Sequence, residues 1–126
     1  MADLAAWKRL ITIVDSPSNG IIFDCGVTRE LGEDPITVCR YFASRDRINH
    51  MHYRNVISEI PYDKYVEVFI DEGEVNMFAV MKELFKHGYK RGLSAEHPHI
   101  LDFDREYERW KQKKRRNGRR WRRLCC

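Results

Sequence analysis

The sequence predicts an α/β fold built on parallel strands, and three observations predict it. Short apolar runs recur as GIIFDC, INHMH and RGLSAEH. A segment with helical periodicity lies between each run and the next. Each run closes on or beside a residue able to ligate a metal: Cys25, His52 and Glu96. Consecutive strand–helix units place every strand end on one face of a parallel sheet, the face that carries the chemistry in α/β barrels. The three residues therefore form one candidate site.

Each element has a local reason. Asp3 can cap a first helix, in which Leu4, Trp7, Leu10, Ile11 and Val14 recur at helical spacing. Ser16-Pro17-Ser18-Asn19-Gly20 stops it. Ile21 to Cys25 is a short, nearly all-apolar strand, as expected where both faces of a parallel sheet are covered, and Gly26 lets the chain turn after it. Asp34-Pro35 is a cap followed by proline at the first helical position, with Ile36, Cys39, Tyr41 and Phe42 on the apolar side. Ile48 to Val56 reads as a second strand. It carries His50, His52 and Arg54 on one face, with Met51 and Tyr53 on the other. Residues 57–75 form a long connection with a strand-like centre, Tyr65 to Ile70. Asn76 can cap a helix whose buried stripe is Phe78, Met81, Leu84 and Phe85, and Gly88 offers a left-handed stop. Arg91 to His97 is the third strand, ended by Pro98. Three βα units do not close a barrel of eight, so open sheet edges and self-association through them are expected.

At 126 residues, 43% of them hydrophobic, the chain is long and apolar enough for one modest core. No run approaches the roughly 18 apolar residues of a membrane span, and the first twenty residues lack the pattern of a signal peptide. No membrane association is expected, and a cytoplasmic location is the default. The four cysteines match neither a disulfide framework nor a zinc-finger spacing; Cys39 reads as a small core residue. The net charge of +4 conceals a split. Residues 105–126 hold eleven Lys or Arg and two Glu, a local charge of +9, which leaves −5 on residues 1–104. The division into a domain at 1–104 and a basic tail at 105–126 follows, the tail being disordered or an irregular helix.

The stretch GIIFDCGVTRELGEDPITVCRYFASRDRINHMHYRNV and the later YVEVFIDEGEVNMFAVMKELFKHGYKRGLSAEHPHILDFDRE closely resemble the mannonate dehydratases. The resemblance covers roughly residues 1–106 and corresponds to a later portion of a full-length member. It implies a partial TIM barrel of the xylose-isomerase-like kind and a divalent cofactor, Mn²⁺ or Fe²⁺. It also implies dehydration of D-mannonate to 2-dehydro-3-deoxy-D-gluconate in hexuronate breakdown. On this resemblance Cys25 matches a cysteine ligand and His52 a histidine ligand within a His-x-Arg-Asn segment. Glu96 stands where many members have aspartate, one methylene shorter, and His97 matches an acid–base histidine. A further histidine ligand is expected upstream, and a catalytic tyrosine in a Gly- and Tyr-rich stretch that the basic tail replaces here.

The chemistry needs such residues. A proton must leave the weakly acidic carbon beside the substrate carboxylate, and a second group must protonate the departing hydroxyl. Thiolate, imidazole and carboxylate together suit a borderline transition metal. Arg54 is read as a substrate-carboxylate clamp or a structural ion pair, and Asn55 as a substrate-hydroxyl contact or a turn cap. His50 is read as a supporting hydrogen bond; Glu67 and Asp71 are within reach of the barrel mouth, with solvated loop carboxylates the commoner outcome. His87 and His99 have no assigned role.

Two other functions compete. RRNGRRWRR, with Trp110 and Trp121, has the composition of a nucleic-acid-binding arm; incidental affinity is the expectation here. A non-catalytic remnant of the enzyme is the third reading.

Overall fold

The computed structural model describes residues 3–96, 105–107, 109 and 111. Helix α1 spans Leu4–Ile13, and Asp3 caps it by accepting from the Ala6 amide. Leu4, Trp7 and Ile11 turn toward the core, whereas Leu10 and Val14, expected on the same stripe, are exposed. Strand β1 is Ile21–Asp24, one residue shorter than expected. Cys25 instead opens a helix, α2 (Cys25–Glu30), because the Asp24 side chain accepts from the Val27 amide and starts a helical turn there.

Helix α3 (Pro35–Ala43) begins as its sequence dictates: Asp34 accepts from the amides of Ile36 and Thr37, and Pro35 takes the first turn. Its buried residues include Val38, Cys39 and Phe42. Strand β2 is Ile48–Tyr53. The expected single strand through Val56 divides at Arg54. Residues beyond it form β3 (Asn55–Ile60), which pairs antiparallel with β4 (Lys64–Val68) as a separate two-stranded sheet. The long connection is therefore a hairpin. Helix α4 (Met77–Lys86), capped by Asn76, leads through Gly88 at φ 67°, a left-handed value that glycine adopts without strain, to β5 (Leu93–Ala95).

The main sheet has the order β1-β2-β5, and both pairings are parallel. Phe23 and Met51 point to one face and join Val38, Cys39, Phe42, Val80 and Leu84 in a single core. Among the described residues, β1 and β5 each have one unpaired edge. None of the described helices is long and apolar enough to cross a membrane.

Helix α4 corrects the expected stripe. Phe78 and Phe85 are 80% and 81% exposed, while Met77, Val80 and Leu84 are buried. Two contacts accompany this rotation. The Tyr53 hydroxyl donates to the Met77 carbonyl (2.7 Å), and Arg40 of α3 pairs with Glu83 (3.0 Å). Both aromatic and aliphatic rows were apolar enough to be buried, so long-range partners chose between them.

Phe42→Ala is expected to cost about 3–5 kcal/mol, as for a large side chain deleted from a packed core. Phe85→Ala should stay within about 0.5 kcal/mol. Urea denaturation of the two variants checks this ordering. Replacing the Asp34 cap by alanine should lower stability by about 1 kcal/mol in the same experiment.

Candidate metal centre

Strand parity decides which side chains meet. Ile22 registers with His50, Asp24 with His52, and His52 with Ser94. Registered residues of parallel strands share a face, so Asp24, His50, His52 and Ser94 lie together on the face opposite the core. Ile22, on that same face, is 60% exposed. Glu96, two residues beyond Ser94, extends the row past the end of β5. The residues at the strand ends converge: donor atoms of Asp24, His52 and Glu96 all lie within 4.8 Å of one another. His52 Nδ1 stands 2.6 Å from Glu96 Oε2 and 3.7 Å from Asp24 Oδ2. All three residues are half-buried. Two carboxylates and an imidazole at this separation could hold a divalent cation.

The structure thus brings together two of the three expected ligands, His52 and Glu96. Cys25 is outside the group. It is completely buried and belongs to the hydrophobic core, one residue out of phase with Asp24. Its thiol is pushed far above the usual value, first by burial and then by the neighbouring Asp24 charge. Cys39, buried beneath Val80, is likewise pushed up to about 12, mainly by burial. Period-two alternation was the signal for Asp24: it shares the parity of the exposed Ile22, and Cys25 that of the buried Phe23.

Arg54 does not point freely to a ligand. It is 6% exposed and donates from Nε to Asp24 Oδ2 (3.0 Å) and from Nη1 to Glu30 (2.8 Å) and Glu67 (3.2 Å). The structural ion pair is the reading it occupies here. Gly26 packs closely against this guanidinium. A Cβ there would lie 2.7 Å from Arg54 Nη1. Asn55 is 1% exposed; it donates to the carbonyls of Ile70 and Val75 and accepts from the amides of Val56 and Val75. Its four hydrogen-bonding positions are taken. Glu67 meets Arg54 from the hairpin, which is more than the solvated role expected of it.

His50 packs edge-on to His52, with ring centroids 5.4 Å apart, and its Nε2 lies 3.1 Å from Ser94 Oγ, the supporting role expected. His87 lies 3.5 Å from Glu83, one turn back. His97, His99, Trp110 and Trp121 fall outside the described residues. Of the basic tail, Arg105, Glu106, Tyr107, Arg109 and Lys111 are described, and they are helical.

Arg54→Met should lower stability by about 3–5 kcal/mol in thermal or urea unfolding, because it strands three carboxylates around one buried position. Native protein treated with iodoacetamide at mildly alkaline pH should show Cys25 and Cys39 unmodified by peptide mapping, and both should react in urea.

Comparison with known proteins shows the family. The family profile described as D-mannonate dehydratase (UxuA) matches residues 1–118. That match runs past residue 106, where the resemblance read from the sequence stops, and takes in much of the basic segment. Mannonate dehydratase of Enterococcus faecalis is 34% identical over 101 residues, covering 75% of this chain and 27% of that protein. The Streptococcus equi subsp. zooepidemicus enzyme is 30% identical over 93 residues, covering 73% and 26%. The crystal structure of mannonate dehydratase from Streptococcus suis serotype 2 superposes with a TM-score of 0.72 at 28% identity, covering 79% of this chain and 29% of that one. The chain therefore spans little more than a quarter of the length of these relatives. Residues from the first helix into the basic segment carry the family's pattern, and the chain belongs to the D-mannonate dehydratase (UxuA) family.

Proposed function

We propose that this chain carries part of the catalytic face of a metal-dependent hydro-lyase that converts D-mannonate to 2-dehydro-3-deoxy-D-gluconate. The observation that supports it most is the convergence of Asp24, His52 and Glu96 at the ends of adjacent parallel strands, in a chain of this family. The three-stranded sheet is read as one arc of a TIM barrel of the xylose-isomerase-like kind. Its helix-covered face is the barrel's outer layer, and the His50–His52 face its interior. Further strands join at the free edges of β1 and β5, from the same polypeptide or from an associated copy.

In this reading His52 and Glu96 hold Mn²⁺ or Fe²⁺ with a third donor from the end of β1, where Asp24 and Cys25 stand side by side. The bound cation supplies Lewis acidity toward the substrate carboxylate, which acidifies the adjacent C–H. The reaction breaks that C–H bond and the neighbouring C–OH bond, releases water, and leaves an enol that tautomerises to the 2-keto product. His97, adjacent to Glu96, moves one of the protons. Arg54 acts on the site through Asp24, orienting that carboxylate through its Nε donor. The nucleic-acid reading loses ground because the family match extends into the basic segment to residue 118.

The test is incubation with D-mannonate, with and without Mn²⁺, following the 2-keto-3-deoxy acid by mass spectrometry. The assay is run on the chain alone and together with a polypeptide supplying the remaining barrel strands. Expected are turnover that chelation abolishes and a loss of at least about 100-fold in His52→Ala. D-Mannonate unchanged in the presence of both Mn²⁺ and the remaining strands would overturn the dehydratase reading.

A further inference from the structure

The negative charge of residues 1–104 is concentrated in one place. Residues 57–75, most of the hairpin and its exit, hold six Asp or Glu against the single cation Lys64, a net −5. That equals the whole excess on residues 1–104, so the remainder is electrically balanced. Three of the six are engaged: Glu59 with Lys64, Glu67 with Arg54 and Glu74 with Arg29. Asp63, Asp71 and Glu72 are exposed and have no ionic partner among the described residues. Apolar side chains alternate with these acids along the chain. Glu67 turns inward to Arg54, so Val66 points the other way, opposite its register partner Ile57. Ile60, Tyr62, Tyr65, Val66 and Ile70 are all exposed. Apolar surface set among unpaired acids has the character of an interface rather than of a solvated turn.

We propose that residues 112–126 of this chain fold back onto the hairpin. Their cationic groups meet Asp63, Asp71 and Glu72, and Trp121 and Leu124 cover the apolar side chains. Two properties of the sequence choose this occupant. Residues 112–126 carry eight Lys or Arg and no acid, a net +8 that complements the −5 of the hairpin. Their length also fits: fifteen residues reach up to about 50 Å when extended, and hairpin strands of six and five residues are about 20 Å long. Arginine suits the task, because its planar fork engages a carboxylate while its stem and face cover aromatic rings such as Tyr62 and Tyr65. Covalent attachment holds the segment at an effective concentration of about millimolar, so contacts too weak for a separate peptide suffice. The same cations are then withheld from phosphate backbones. The interaction is independent of the dehydratase chemistry.

Limited trypsin digestion of the full chain at low salt, followed by mass spectrometry, reads docking at the cleavage sites within residues 113–123. Cleavage needs an open segment, so the expected rate is at least about ten-fold below that of a free peptide of residues 112–126. Salt at about 1 M, where the screening length falls to about 3 Å, should remove most of the difference. The triple variant Asp63→Lys, Asp71→Lys, Glu72→Lys should do the same at low salt. Circular dichroism checks its fold, and none of the three side chains has an ion pair to lose among the described residues. Carbodiimide coupling gives a second readout on the unaltered chain. It should join Lys113 or Lys114 to Asp63, Asp71 or Glu72 within the monomer, in a yield that dilution leaves unchanged. Cleavage at the free-peptide rate, cross-links confined to dimers, or a rate indifferent to charge reversal in the hairpin overturns the proposal. Protection that appears only when single-stranded RNA is added also overturns it, and assigns the segment to nucleic acid instead.

Discussion

The arrangement turns on one buried cation. The Arg54 guanidinium gathers carboxylates from three elements: Asp24 at the end of β1, Glu30 at the end of α2 and Glu67 in β4. Without it, three negative groups would crowd a nearly dry position next to a fourth, Glu96. With it, each has a partner, although burying ions remains costly even when they are paired. The return on that cost is geometric. A planar guanidinium accepts only a few directions of approach, so it fixes the strand end, the short helix and the hairpin relative to one another.

The hairpin illustrates how such fixation spreads. Asn55, next to Arg54, stitches the connection to β3 through Ile70 and Val75, and Glu74 reaches back to Arg29 of α2 at 2.7 Å. The Tyr62 amide donates to the Glu30 carbonyl, so the hairpin tip is tied to the helix that Arg54 also holds. Polar contacts do this work because the hairpin contributes little to the main core. Of its residues, Tyr65, Val66, Phe69 and Ile70 remain largely exposed. A segment fastened by directional bonds rather than by bulk packing holds its position near a site while keeping its own surface available.

Sheet parity is the second organising constraint. A parallel strand sends alternate side chains to opposite faces, and here those faces have different chemistry. One is sealed by α3 and α4 over Phe23 and Met51; the other collects His50, His52, Asp24 and Ser94. A shift of one position separates a core thiol from a candidate ligand carboxylate. The same rule accounts for the pairing of His50 with Ser94, which braces the face beside His52.

Much of this was legible in the sequence, because it depends on neighbours along the chain. The α/β class with parallel strands, the caps at Asp3, Asp34 and Asn76, the proline start of α3 and the left-handed Gly88 all follow from local patterns. Other features needed the folded chain. Arg54 continued the alternation of His50 and His52 on paper, but its charge required burial among acids that lie as far as 30 positions away. That need breaks β2 and starts the hairpin. The rotation of α4 was undetermined because two rows were equally apolar, and the Tyr53–Met77 and Arg40–Glu83 contacts selected one. The placement of Asp24 opposite His52 rested on register with β2, which no single strand encodes. The sequence by itself determined which elements form and which residues are chemically able to act. Tertiary structure decided which of them face one another, because pairing register and charge neutralisation are properties of segments distant in the chain.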